Sequence, residues 1–215
     1  MTHMPTPLDL TPSRTDPTRR AVLMGGAALA AGAALLPGSA RALSTREAEG
    51  LIDKLVADFN RIINSGMSQS RMIAAFEKDL FAKYADVALI AQLVLGPPAR
   101  SASRAEMRDF TRAFQGYMAR KYGTRFREFV GGRIEVQSAG PWKSYFQVKT
   151  VTRLAGSAPF EVTYRVSERS GKPLFIDMLI EGISLVKTEA IEVRALHERQ
   201  GRNLKKLTAA LKGLS

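Results

Sequence analysis

The stretch FQVKTVTRLAGSAPFEVTYRVS, residues 146–167, decides the fold. Phe146, Val148, Thr150, Thr152 and Leu154 alternate with Gln147, Lys149, Val151 and Arg153. After Ala155-Gly156-Ser157 the rhythm resumes, with Phe160, Val162, Tyr164 and Val166 set against Glu161, Thr163, Arg165 and Ser167. Successive side chains of an extended chain point to opposite faces, so each half reads as a strand with one apolar and one wet face. Two such strands joined by a short turn form an antiparallel pair half covered by something else.

Upstream, Ile134 and Val136 alternate with Arg133 and Glu135 after Gly131-Gly132, and Ala139-Gly140-Pro141 reads as the next turn. Downstream, beyond Ser170-Gly171-Lys172, Leu174 to Ile180 is apolar on both faces except at Asp177, the pattern of a central strand. The sheet is thus expected to hold about four strands.

What covers it comes first in the chain. From Ser44 to Ser65, Ala48, Leu51, Ile52, Leu55, Val56, Phe59, Ile62 and Ile63 recur at three and four, an amphipathic helix stopped by Gly66. A second helix is expected from Ser68, with Met72, Ile73, Phe76, Leu80 and Phe81 inward. A third runs from Asp86 to the breaker Gly96-Pro97-Pro98. Ser103 and Glu106 form a capping box that opens a fourth, whose inward stripe is Met107, Phe110, Phe114, Tyr117 and Met118. The chain closes with a basic helical segment, Glu189 to Leu211, interrupted at Gly201. Helices, then a meander, then a helix argue for an α+β fold: N-terminal helices packed on a curved antiparallel sheet.

The first 42 residues stand apart from this pattern. Ala21 to Leu36 is an apolar run of 16 residues, shorter than the roughly 20 that a spanning helix needs. Arg19-Arg20 precedes it and the small-x-small triplet Ala40-Arg41-Ala42 follows, the layout of an export signal. Thr18, Arg19, Arg20 and Leu23 make it resemble a twin-arginine (Tat) signal, with Val22 where Phe is commoner. Cleavage is expected after Ala42; an uncleaved anchor is the alternative. Removing 42 of 215 residues leaves 173, one domain (43–215) with a helical part 44–130, a sheet part 132–187 and a closing helix 189–212.

The whole chain carries a net charge of +12, and without the signal 28 basic residues face 18 acidic ones, a net of +10. Such a surface favours anionic partners. In an exported protein these are membrane surfaces or acidic proteins, and no nucleic-acid partner is expected. No cysteine is present, which excludes disulfides and thiolate metal sites. No apolar run after Ala42 reaches spanning length, so the mature chain is expected to be soluble.

Catalytic patterns are missing. His197, alone after the signal, sits among Glu198 and Arg199 and reads as a solvated helix residue in preference to a general base. No nucleophile elbow, phosphate loop or paired-His zinc pattern occurs, and no metal site is expected. Asp177 and Glu181 are about 13 Å apart on an extended chain, beyond either glycosidase geometry. Asp177 reads as a residue of the outer sheet face or an acceptor of a structural hydrogen bond. Arg104, Arg108 and Arg112 repeat at i+4 opposite the buried stripe. They form either an ordinary solvated face or a docking ridge for anionic headgroups or an acidic partner.

Two longer strings resemble the MlaC family, also called toluene-tolerance or auxiliary-component proteins. One is FIDMLIEGISLVKTEAIEVRALHERQGRNLKKLTAALK, Phe175 to Lys212, with Asp177, Glu181, Gly182, Ser184 and Gly201 at matching places. The other is LVLGPPARSASRAEMRDFTRAFQGYMARKYG, Leu93 to Gly123. Ala99 and Leu174 stand where Trp is usual, which leaves open a hopanoid-associated branch handling a different lipid.

The resemblance implies a periplasmic carrier without catalytic activity or cofactor. It would shuttle phospholipid, or a hopanoid-related lipid, between an inner-membrane ABC transporter complex and an outer-membrane lipoprotein complex, with transient membrane contact. A small exported enzyme on a similar scaffold is the rival reading. Burying a methylene is worth about 0.8 kcal/mol, so lifting a two-chain lipid from a bilayer costs on the order of 20 kcal/mol unless a carrier offers another apolar surface. Phe110, Phe114, Tyr117, Phe146, Val148, Val162, Tyr164, Ile176 and Met178 are the candidate lining of such a cleft; the same stripes equally describe a filled core. Arg104, Arg108 and Arg112 are the candidate docking residues.

Overall fold

The computed structural model describes residues 43–214; the expected signal and its cleavage site after Ala42 lie outside them. Helix α1 (Thr45–Ile63) opens on Ser44, whose hydroxyl accepts from the Glu47 amide while Glu47 accepts from the Ser44 amide at 2.9 Å. Its inward stripe is the one the periodicity predicts, from Ala48 to Ile63. After Gly66, at φ 70°, α2 (Gln69–Ala75) runs without a break into a π-helical segment (Phe76–Phe81) and a last turn, α3 (Ala82–Tyr84). Helix α4 (Val87–Leu95) is capped by Asp86, which accepts from the Leu89 amide at 3.1 Å. Helix α5 (Arg104–Gly123) carries the expected Ser103–Glu106 capping box, and a 3₁₀ turn (Phe126–Phe129) leads to the sheet.

The sheet has five antiparallel strands: β1 (Arg133–Trp142), β2 (Tyr145–Arg153), β3 (Phe160–Ser167), β4 (Leu174–Ile180) and β5 (Ile183–Ser184), in that spatial order. The expected count of about four missed β5, two residues too short to carry a period. Strand β4 lies inside the sheet, paired with β3 on one side and β5 on the other, and β3 holds the middle position. What makes β4 apolar on both faces is helix packing against it by α4 and α6. The turn expected at Ala139-Gly140-Pro141 is instead continuous strand, and the chain reverses at Lys143-Ser144. Pro141 is tolerated there because β1 is an edge strand.

Helix α6 (Leu185–Arg199) starts four residues before the expected Glu189. Ser184 caps it, accepting from the Lys187 amide at 3.2 Å, and Asp177 accepts from the Val186 amide at 3.1 Å. Asp177 also accepts from the Ser184 hydroxyl at 2.7 Å and the Arg165 guanidinium at 3.0 Å. The acid in the last long strand thus anchors the following helix to the sheet. Helix α7 (Leu204–Gly213) lies along α5, where the Arg120 guanidinium donates to the Leu211 and Leu214 carbonyls, each at 2.7 Å. No helix among the described residues is long and apolar enough to cross a membrane.

Two apolar clusters result. One lies between α1, α2 and the inner sheet face and contains Ile52, Phe59, Val148, Val162 and Val166. The other joins α4, α5, α6 and α7 and contains Val94, Phe110, Phe114, Val193 and Leu207.

Candidate functional site

The clusters meet through Phe76 and Phe175, which pack against both, but do not fill the space between them. Between them lies a cavity of about 490 Å³ with almost wholly apolar walls. Helix α1 contributes Leu55 and Phe59, α5 contributes Met118 and Tyr122, and the sheet contributes Ile134, Val162, Tyr164, Phe175 and Met178. The π-helical segment supplies Phe76, Leu80 and Phe81, all three on the cavity wall. A π turn closes hydrogen bonds five residues apart instead of four, so it brings 76, 80 and 81 onto one side.

Aromatic rings make up much of the wall. Phe59 meets Phe126 and Phe129 edge to face at 5.7 and 5.3 Å, Phe76 lies 4.5 Å from Phe126, and Tyr164 meets Phe175 edge to face at 5.9 Å. Burial pushes the Tyr164 phenol up to about 12, so it stays neutral at any physiological pH. The exposed members of the lining are Arg125, Glu128, Ser157 and Ile180, which mark the open side. Arg125 and Glu128 pair there at 3.1 Å.

A charged cluster stands behind the wall. Glu189 is fully buried; its Oε1 accepts from Lys121 Nζ at 2.7 Å and from the Tyr122 hydroxyl, and Lys121 also reaches Glu192 at 2.6 Å. Burial pulls the Lys121 ammonium downward, but the two carboxylates outweigh it and hold the group above its ordinary range. Burial and the Glu189 carboxylate together raise the Tyr122 phenol. Since Tyr122 borders the cavity, this cluster ties the wall of α5 to α6.

Of the residues expected to line a cleft, Val162, Tyr164 and Met178 do so. Phe146 and Val148 belong to the same cluster but lie outside the cavity wall, Val148 being fully buried. Phe110, Phe114 and Tyr117 fill the helical cluster, and Phe114 touches only a void of about 20 Å³, the size of one water. Ile176 is the extra residue of a bulge: Val166 pairs with Phe175 and Arg165 with Asp177. The bulge shifts the period, so Phe175 and not Ile176 shares the cavity side with Met178.

Arg104, Arg108 and Arg112 form an exposed ridge, with Arg112 paired to Asp109 at 2.6 Å. Along α5, Arg104 lies about 27 Å from Tyr122 at 1.5 Å per residue, so the ridge starts at the helix end remote from the cavity. His197 is 6% exposed, not solvated as expected, and it borders neither cavity. It follows Glu189 and Val193 at four-residue spacing on the inward stripe, a period that could have placed both polar residues inside.

The family model of the MlaC protein matches residues 51–213. A solved structure, a phospholipid-binding protein from Ralstonia solanacearum in complex with a phospholipid, shares the fold with a TM-score of 0.67. The likeness spans 77% of this chain and 94% of that one at 16% identity. Among curated proteins, none matches this sequence. The family match covers every residue that lines the cavity, and the chain belongs to the MlaC family.

Proposed function

We propose that this chain is a periplasmic lipid carrier, exported by its twin-arginine signal, that holds the acyl part of a phospholipid in the cavity between its two cores. The observation that carries the reading is the cavity itself, about 490 Å³ walled by aromatic and aliphatic side chains. A methylene fills nearly the ~30 Å³ of a water in the liquid, so this space takes on the order of 16 methylenes, one long chain or the inner parts of two. The headgroup then stays at the open side beside Arg125 and Ser157. Family membership and the phospholipid seen in a protein of the same fold support the same assignment.

The protein acts by binding and release, without catalysis or cofactor; the almost wholly apolar cavity walls support this reading. Its partners are an inner-membrane ABC transporter complex and an outer-membrane lipoprotein complex. The ridge Arg104, Arg108 and Arg112 offers an acidic partner or anionic headgroups a place to dock while the cavity mouth stays free. Solvent extraction of the purified protein followed by mass spectrometry tests the proposal. Near-stoichiometric phospholipid is expected; a hopanoid would change the cargo, and empty protein from a lipid-replete host would overturn the reading.

A further inference from the structure

The amide nitrogen of Leu43 donates to Glu168 Oε1 at 2.9 Å, across 125 residues of sequence. The Leu43 side chain is 8% exposed and belongs to the cluster between α1 and the sheet. Glu168 sits in the β3–β4 turn. The same turn is fixed a second time by Ser170, whose hydroxyl donates to Asp86, the cap of α4. The start of α1, the start of α4 and this turn are therefore joined.

From this geometry we infer that Leu43 is the built N-terminus of the mature protein and that Glu168 is the seat of its α-ammonium. Removal of residues 1–42 converts the Leu43 amide into an ammonium at the same nitrogen. One amide bond is hydrolysed, with water supplying the Ala42 carboxylate oxygen and the protons on nitrogen. The existing hydrogen bond, already charge-assisted on the carboxylate side, becomes an ion pair. A cation one residue before the Ser44 cap faces the positive end of α1, which is unfavourable unless negative groups offset it; Glu47 in the first turn is one, and Glu168 is the one that the Leu43 nitrogen itself contacts. The buried Leu43 side chain fixes the nitrogen against Glu168, so a terminus one residue earlier would carry its charge past that partner.

The inference rests on the reading that residues 1–42 are an export signal cleaved after Ala42, and it is independent of cargo. The full-length chain is expressed with export, and the processed protein is weighed intact and melted. A first residue of Leu43 is expected; cleavage anywhere else overturns the inference and leaves the lipid reading untouched. Glu168→Gln keeps an oxygen acceptor and removes only the charge. In the protein starting at Leu43 it should lower the thermal midpoint by about 1 to 4 °C, as a partly exposed ion pair would, and the loss should shrink in molar salt. In a variant with one glycine inserted before Leu43, confirmed by mass, only the amide hydrogen bond is left to weaken, so Glu168→Gln should lower the midpoint by clearly less. Equal losses in both backgrounds would reduce Glu168 to an ordinary acceptor and overturn the assignment.

Discussion

Val162→Trp separates a cavity that holds lipid from a core that merely packs loosely. Val162 lines the cavity from the middle strand of the sheet, whereas Val148, directly across from Tyr164 on the neighbouring strand, is fully buried and lines nothing. Tryptophan adds about seven heavy atoms to valine; at no more than the ~30 Å³ of a water each, they fill up to roughly 200 Å³. That is well over a third of the 490 Å³ present. Displacing up to about seven acyl methylenes at 0.8 kcal/mol each costs up to about 6 kcal/mol of lipid affinity, on the order of ten-thousandfold. The delipidated variant should melt close to the delipidated parent, because the ring enters space that is already there. Val148→Trp has no such space and should cost about 1 to 3 kcal/mol by overpacking, a fall in midpoint of about 2 to 12 °C. Lipid content by extraction and midpoint by circular dichroism are read for both. A Val162→Trp protein that keeps its lipid, or loses as much midpoint as Val148→Trp, would refute the assignment of the cavity.

Lys121→Met should be far costlier than an ordinary surface change, because it strands the fully buried Glu189 carboxylate. A loss of about 3 to 5 kcal/mol is expected in denaturant melts, partly recovered by adding Glu189→Gln. Asp58 accepts from Arg61, Lys83 and Tyr84, which hold its carboxyl well below the usual carboxylate range. A depressed acid stabilises the fold above its ordinary value near 3.9 and loses that contribution as pH falls below it, so Asp58→Asn should flatten the melting profile between about pH 4 and about pH 2. Stripping lipid from the purified protein should lower the thermal midpoint and re-addition of phospholipid vesicles should restore it, since a ligand bound only by the folded state stabilises by mass action. Identical midpoints before and after stripping would argue against a cargo in the fold.

Most of the fold is legible in the chain because its period changes cleanly. The α1 stripe, the Ser103 capping box and the alternation in β2 and β3 are local patterns, each fixed by neighbours within a turn or two. The cavity is not local. Phe59, Phe76, Phe81 and Phe175 all read as core, and nothing in their spacing distinguishes a residue facing a partner from one facing a void. Ile176 was placed by a strict period of two, which one bulge residue breaks. Phe110 and Phe114 carry as apolar a stripe as any lining residue, but α4, α6 and α7 cover them, and which helices meet is decided by long-range packing. The period of α6 marks Glu189 as inward, but its partners, Lys121 and Tyr122, are not legible in it because they lie 68 and 67 residues away.

A void of this size asks why the walls do not collapse. At about 24 cal/mol per Å³, a closed dry cavity of 490 Å³ would cost roughly 12 kcal/mol, as much as the net stability of a typical domain. An open mouth lowers that figure without removing it. The answer lies in where the polar bonds are. Asp58 fixes Tyr84 and Lys83, beyond the π-helical segment, to α1. Asp177 fixes the start of α6 to β4, and Glu189 fixes Tyr122 and Lys121 of α5 to α6. Each wall is held from behind by these hydrogen bonds, and stranding the buried Asp177 or Glu189 carboxylate would cost several kcal/mol. Collapse would therefore exchange apolar contact for lost ion pairs. The contacts the walls lack are instead made when an acyl chain enters, so the strain of keeping the space open becomes part of the affinity for whatever fills it.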